Sequence, residues 1–185
     1  MKFQKNVDTI IKEVTRLLER IRSEDVDPLV LQLIRAKHVY VAGGGRSGLM
    51  ARALAMRLMH LGLSTYVVGE TTTPAIGPDD VLLVCSGSGD TQVTVLVSRV
   101  AKETGAHIIA ITANRESPIA KLADTVLVLE APYKKGLDEG MPSIQYAGSL
   151  FEQGLLLLTD AIALEVGRIL GRSDREIGER HANLE

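Results

Sequence analysis

Cysteine is all but missing: Cys85 stands alone, and a lone thiol closes no internal disulfide. The opening Met-Lys-Phe-Gln-Lys-Asn lacks the apolar core of a signal peptide, and the two absences together point to a cytoplasmic protein. Clustered positive charge is lacking too. No Lys/Arg block exceeds two residues, and 21 basic against 23 acidic residues leave a net charge of -2. That balance argues against a nucleic-acid partner or a polybasic membrane surface. No uninterrupted membrane span exists, because the most apolar stretch, Leu150 to Leu170, carries Glu152, Gln153, Asp160 and Glu165 and reads as a buried helix. Repeats, low-complexity segments and long polar linkers are likewise absent, so 185 residues at 45% hydrophobic content imply one domain around one core.

What is present is a patterned α/β chain. Phe3, Val7, Ile10, Val14, Leu17 and Ile21 recur at steps of four and three, with Ile11 and Leu18 widening the stripe. This is helix spacing, laid either on its own domain or against another subunit. Asp27-Pro28 is expected to open a short helix to Ala36, completing an N-terminal helical region over 1–36. Strands are expected near His38 to Ala42, Ser64 to Val68, Val81 to Cys85, His107 to Thr112 and Thr125 to Leu129. Helices are expected at Ser47 to Leu61, Thr91 to Thr104, Ser117 to Ala123 and over 149–170. Runs such as Val81-Leu82-Leu83-Val84 lack in/out alternation, the mark of strands covered on both faces. The expectation is a five-stranded parallel sheet in an α-β-α sandwich, order 2-1-3-4-5. Ala131 to Gly148 reads as a long surface loop and lid candidate, and 171–185 as a polar tail.

The stretch Val39 to Ser47, Val-Tyr-Val-Ala-Gly-Gly-Gly-Arg-Ser, runs from a strand into a glycine turn and then a helix. Such a turn aims backbone N–H groups and a helix dipole at one point, which suits a phosphate. Gly43 to Gly48 also matches G-x-G-x-x-G, and Glu70 stands where a dinucleotide site would hold a ribose hydroxyl. A second loop, Ser86-Gly87-Ser88-Gly89-Asp90-Thr91, follows the third strand. In the expected strand order the loops after strands one and three face each other across a crevice. Gly45, Arg46, Ser47, Ser86, Gly87, Ser88 and Thr91 then form two walls around one phosphoester. Each hydroxyl alone reads more readily as a helix N-cap; together they favour the phosphate site.

Gly-Arg-Ser-Gly at 45–48, Ala-Met-Arg-Leu-Met-His-Leu-Gly at 55–62, Val-Gly-Glu-Thr-Thr-Thr-Pro-Ala-Ile at 68–76, Ser-Gly-Ser-Gly-Asp-Thr at 86–91 and the ending Arg-His-Ala-Asn-Leu-Glu resemble the sugar isomerase (SIS) domain family. The resemblance covers nearly the whole chain. It departs at Asp90, where Glu is more usual, and over Ala131 to Ser143, which follows no family pattern. The resemblance implies a sugar-phosphate substrate, a homotetramer, and an isomerisation that needs no metal or redox cofactor. Its narrower match implies interconversion of 3-hexulose 6-phosphate and fructose 6-phosphate through an enediol, in the ribulose monophosphate route of formaldehyde assimilation. A non-catalytic sugar-phosphate module and a different phosphosugar isomerase are the alternatives.

Matched to the family's Leu-Phe-Glu-Gln segment, Glu152 is the implied base, and His181 in the ending is the implied carrier of hydroxyl protons. His181 is placed either in its own crevice or in a neighbour's. From spacing alone, Ser149-Leu150-Phe151-Glu152 is also a capping box, in which Glu152 only accepts an amide proton. Glu70, Thr71 and Thr72 follow strand two and are candidates for the sugar hydroxyls. Cys85, Met50, Met56 and Met59 read as core, and His38, His60 and His107 have no metal-ligand spacing.

Overall fold

Five short runs of aliphatic residues pair side by side, and their register explains why none of them needs a polar face. The computed structural model describes residues 2–133, 142–146 and 148–184. Strands β1 (Val39–Gly43), β2 (Thr65–Val67), β3 (Val81–Cys85), β4 (His107–Thr112) and β5 (Thr125–Val128) form one parallel sheet. Their order is β2-β1-β3-β4-β5, as expected. The intervening helices are α3 (Gly45–His60), α4 (Gln92–Glu103) and α5 (Pro118–Leu122); α1 (Phe3–Leu18) and α2 (Ser23–Arg35) precede the sheet, and α6 (Ser149–Ile169) and α7 (Asp174–Glu179) follow it.

Alternate residues of each strand enter two cores. Val39, Val41, Leu83, Cys85, Ile109, Ile111 and Leu127 pack with α1, α2, α3 and α6. Tyr40, Ala42, Leu82, Val84, Ile108 and Ala110 point the other way, toward Ala101 of α4 and Ile119 of α5. Because α3 and α4 lie on opposite faces, the loops that lead into them splay apart at the C-terminal edge of β1 and β3, which opens the expected crevice. Helix α6 is the largest contributor to the first core, with Phe151, Leu155 and Val166 fully buried. Each such side chain contributes roughly 1.5–3 kcal/mol relative to exposure. Gly154 brings α6 close to α1, since a Cβ there would stand 2.6 Å from Leu17 Cδ2.

Four expectations are corrected. Helix α2 begins at Ser23 and carries Pro28 inside it. The Asp25 carboxylate accepts the Arg22 amide at 3.2 Å, and Glu24 and Asp25 suit the positive end of the helix. As the sixth residue of α2, Pro28 forfeits the backbone bond to the Glu24 carbonyl, while its φ is already helical. The polar tail contains α7, started by a capping box in which Ser173 and Glu176 exchange backbone contacts. The first residues of the expected surface loop, Ala131 and Tyr133, are buried; 134–141 and 147 lie outside the described residues. Met56 and Met59 are exposed rather than core.

Helix α3 starts directly on the end of β1 only because two glycines meet there. A Cβ on Gly48 would lie 2.5 Å from the Gly43 carbonyl oxygen, and no side-chain rotation relieves a clash with backbone. Gly48→Ala is therefore expected to lower the unfolding free energy by about 1–3 kcal/mol, measured as a lower urea midpoint. Gly178→Ala, where nothing stands within 4 Å, is the control and should leave the midpoint unchanged or raise it.

Candidate active site

The loop after β3 is built around its own hydroxyls. Ser86 Oγ accepts the Gly89 amide at 3.1 Å and lies 3.2 Å from Thr91 Oγ1. Ser88 Oγ donates to Asp90 Oδ1 at 2.7 Å, so this serine stiffens the turn. Gly89 holds φ +64, and a Cβ there would collide with the Ser117 and Thr112 side chains. Only glycine fits. The loop after β1 faces this one closely: a Cβ on Gly44 would lie 3.3 Å from Thr91 Cγ2. Ser47, 8% exposed in the first turn of α3, has no hydrogen bond among the described residues and keeps its hydroxyl available. Gly45, Arg46, Ser47, Ser86, Gly87, Ser88 and Thr91 thus come together as two walls. The amides of the α3 first turn and the free hydroxyls make the gap between them chemically suited to an oxyanion.

The start of α6 closes this gap from above. Phe151 packs on the β3 loop, where a Cβ on Gly87 would meet its ring at 3.3 Å. Its neighbour Glu152 reaches the β1 loop, with Oε2 3.3 Å from Arg46 Nε. The Glu152 side chain is 18% exposed against 51% for Arg46. Burial therefore pushes the Glu152 carboxyl above its ordinary value, and the Arg46 guanidinium pulls the other way without overcoming it. The capping box does not form. Gly148 at φ +86 is the N-cap, no side chain caps the helix, and the Ser149 amide donates to the Tyr146 carbonyl. A half-buried carboxylate beside two phosphate-type loops is left with a proton-accepting oxygen and one weakly shielded cation.

Glu70 follows β2 on the same sheet edge but is engaged with Arg52 at 2.7 Å, while Thr71 and Thr72 are exposed with no hydrogen bond among the described residues. His181 is not brought to this crevice within one chain. Its ring stacks on His60, centroids 4.6 Å apart, at the last residue of α3, whereas the crevice lies at the first turn of that helix. The helical rise puts about 20 Å between them. His60 is 2% exposed, and burial, His181 and Arg57 all hold its pKa below the ordinary value. A cavity of about 560 Å³ opens beside it, lined by Arg57, Asp160, Leu164 and Arg172 among others. Cys85 is fully buried, its thiol pushed up to about 12 by burial, which removes it as a nucleophile.

Several contributors were not legible as site residues. Phe151 and Tyr133 flank Gly87, and Thr112 and Ser117 back Gly89, but in sequence they are ordinary core and cap residues. Gln153 carries a buried side-chain oxygen with no hydrogen-bond partner among the described residues; its place beside Glu152 was the available signal. Among the described residues no three His, Cys, Asp or Glu side chains are grouped to hold a metal, and no helix is long and apolar enough to cross a membrane.

Residues 32–153 match the SIS domain model. A 3-hexulose-6-phosphate isomerase of Mycobacterium gastri is 45% identical over 97% of this chain and 90% of its own. One of Bacillus subtilis (strain 168) is 37% identical over the whole of both chains. A solved structure from Methanococcus jannaschii, for which the function of 3-hexulose-6-phosphate isomerase was inferred, superposes with a TM-score of 0.84 at 35% identity, covering 98% of this chain and 99% of that one. The chain belongs to the SIS domain family, within the branch whose named relatives are 3-hexulose-6-phosphate isomerases.

Proposed function

We propose that this protein interconverts 3-hexulose 6-phosphate and fructose 6-phosphate, with Glu152 as the base. The observation that carries the reading is the placement of one half-buried carboxylate of raised pKa where the β1 loop, the β3 loop and α6 converge. Ser47, Ser86, Ser88 and Thr91 with nearby amides hold the phosphate, and Arg46 offsets its charge. Glu152 takes the proton from C2 of the 3-ketose, leaving an enediolate across C2 and C3. The same carboxylic acid returns that proton to C3, while a proton passes from O2 to O3. His181 carries this hydroxyl proton, and Glu70, Thr71 and Thr72 orient the sugar. No net oxidation occurs, because one carbon is oxidised as its neighbour is reduced. The named relatives support 3-hexulose 6-phosphate as substrate, and the family resemblance supports a place in the ribulose monophosphate route and a cytoplasmic setting.

The distance between His181 and Glu152 in one chain supports an oligomer in which the tail serves a neighbour's crevice. Leu49, Met56 and Met59 on α3 and Leu157 and Leu164 on α6 are exposed apolar residues available to such contacts. Arg57 and Asp160 line one cavity and have no ion-pair partner among the described residues. We assign a homotetramer on this basis and on the family resemblance.

Incubation with fructose 6-phosphate should yield the 3-ketose, and Glu152→Gln should cut kcat by about 10²–10⁴-fold while inorganic phosphate still binds. Phosphate-induced thermal stabilisation of the wild type without turnover would leave a binding module instead.

The acid limb of kcat/KM should lie above the ordinary glutamate value, because the base must be ionised and burial raises its pKa. Removing the guanidinium removes the opposing effect, so in Arg46→Ala the limb should move to still higher pH. An acid limb that stays put in that variant contradicts Glu152 as the titrating base.

Glu152→Gln and His181→Ala homo-oligomers should each be nearly inactive. Mixed by denaturation and refolding together, they should regain activity, since a shared crevice then holds both intact groups. Mixtures no more active than either parent would place His181 outside a neighbour's site.

A further inference from the structure

We propose that Glu13, on α1, is a positioning residue for Glu152: its carboxylate pins residues 143–146 and thereby sets the entry of the chain into α6. The inference deepens the isomerase reading and rests on Glu152 being the base.

Glu13 breaks the rule of its own helix. It lies between Ile10 and Leu17 at the spacing of the apolar stripe and is only 7% exposed. A carboxylate so placed costs several kcal/mol unless its lone pairs are filled. Three donors fill them. Ser143 Oγ donates to Oε2 at 2.7 Å, Gln145 Nε2 donates to Oε2 at 3.0 Å, and the Ile144 amide donates to Oε1 at 3.0 Å. Burial alone raises the Glu13 pKa, but these bonds, with Arg16 one turn away, outweigh it and hold the group ionised. The partners lie some 130 positions away in sequence, so the contact serves tertiary placement rather than helix stability.

Among the described residues little else holds the segment. Ile144 and Tyr146 are 70% and 93% exposed, so burial contributes almost nothing there. From this segment the path to Glu152 is short and made of backbone. The Tyr146 carbonyl accepts the Ser149 amide at 2.9 Å, and the Gly148 carbonyl accepts the Glu152 amide at 3.0 Å. Among the described residues no side chain caps α6, so these two backbone bonds are what aim its first residues. Leu17, one turn beyond Glu13, seats against Gly154 and fixes the next turn of α6. Helix α1 therefore brackets Glu152 from both sides along the chain, through a charge before it and a leucine after it.

Two variants test this. Glu13→Gln removes the charge while keeping the shape, and the Ser143→Ala/Gln145→Ala double variant removes two of the three bonds from the solvent side, leaving the Ile144 amide, without touching the core. For each, kcat and KM with fructose 6-phosphate are measured, and the Glu152 carboxyl is titrated by ¹³C NMR, with its resonance assigned from Glu152→Gln. Both variants should lose about ten-fold or more in kcat, with KM nearly unchanged because the β1 and β3 loops are untouched. The Glu152 titration should move down toward the ordinary value as the loosened segment lets water in. A Glu152 titration unmoved in both variants overturns the proposal whatever kcat does. If the wild type fails to turn over, the isomerase reading falls by itself, and the titration still decides whether Glu13 governs Glu152.

Discussion

The pairing of β1 with β3, in register from Val39–Val81 to Gly43–Cys85, is the constraint on which the rest depends. It ends both strands at the same level, so the loops that follow them start side by side. Their helices then leave toward opposite faces, and the loops become walls rather than neighbours on one surface. The glycines answer to that geometry. Gly48 lets α3 begin against the Gly43 carbonyl, and Gly89 turns the β3 loop where any side chain would strike Ser117. Neither wall provides a base. In the proposed reaction that falls to α6, whose first turn presses Phe151 on one loop and extends Glu152 to Arg46 on the other.

Much of the fold was legible because the strands are nearly all apolar. Continuous runs such as Val81 to Cys85 signal burial on both faces, and parallel order with a crevice follows from helices placed between them. The two loops were legible for the same local reason, since glycines and hydroxyls at the ends of strands have few other uses. What sequence could not supply was the relation between distant segments. For Glu152, spacing alone favoured the cap and only the family resemblance pointed to a base. The structure removes the cap reading, with Gly148 at the cap position and Arg46 arriving beside the carboxylate from more than a hundred residues earlier. The α7 capping box was visible in Ser173 and Glu176, yet a polar, glycine-containing stretch masked it. Glu13 passed unnoticed within the apolar stripe of α1, because its partners some 130 positions away cannot be read from that helix itself.

His181 shows how a folded chain redirects a sequence-level assignment. The tail is held through Arg172, which donates to the Leu61 carbonyl, and through Arg180, whose guanidinium lies beside Gly62. These contacts set His181 on His60, at the end of α3 remote from the phosphate walls. Burial of His60, with His181 and Arg57 nearby, disfavours its charged form, and its ring offers His181 a stacking surface. In the proposed reaction the hydroxyl-proton carrier comes from a second copy of the chain, which would make the assembly and the active site one question.

The central claim is that Glu152 exchanges a proton with a sugar carbon. Its most direct test is deuterium incorporation from heavy water into fructose 6-phosphate, followed by NMR at C3. The account predicts that the wild type exchanges this hydrogen and that Glu152→Gln, still binding phosphate, does not. Exchange by Glu152→Gln at close to the wild-type rate would contradict it.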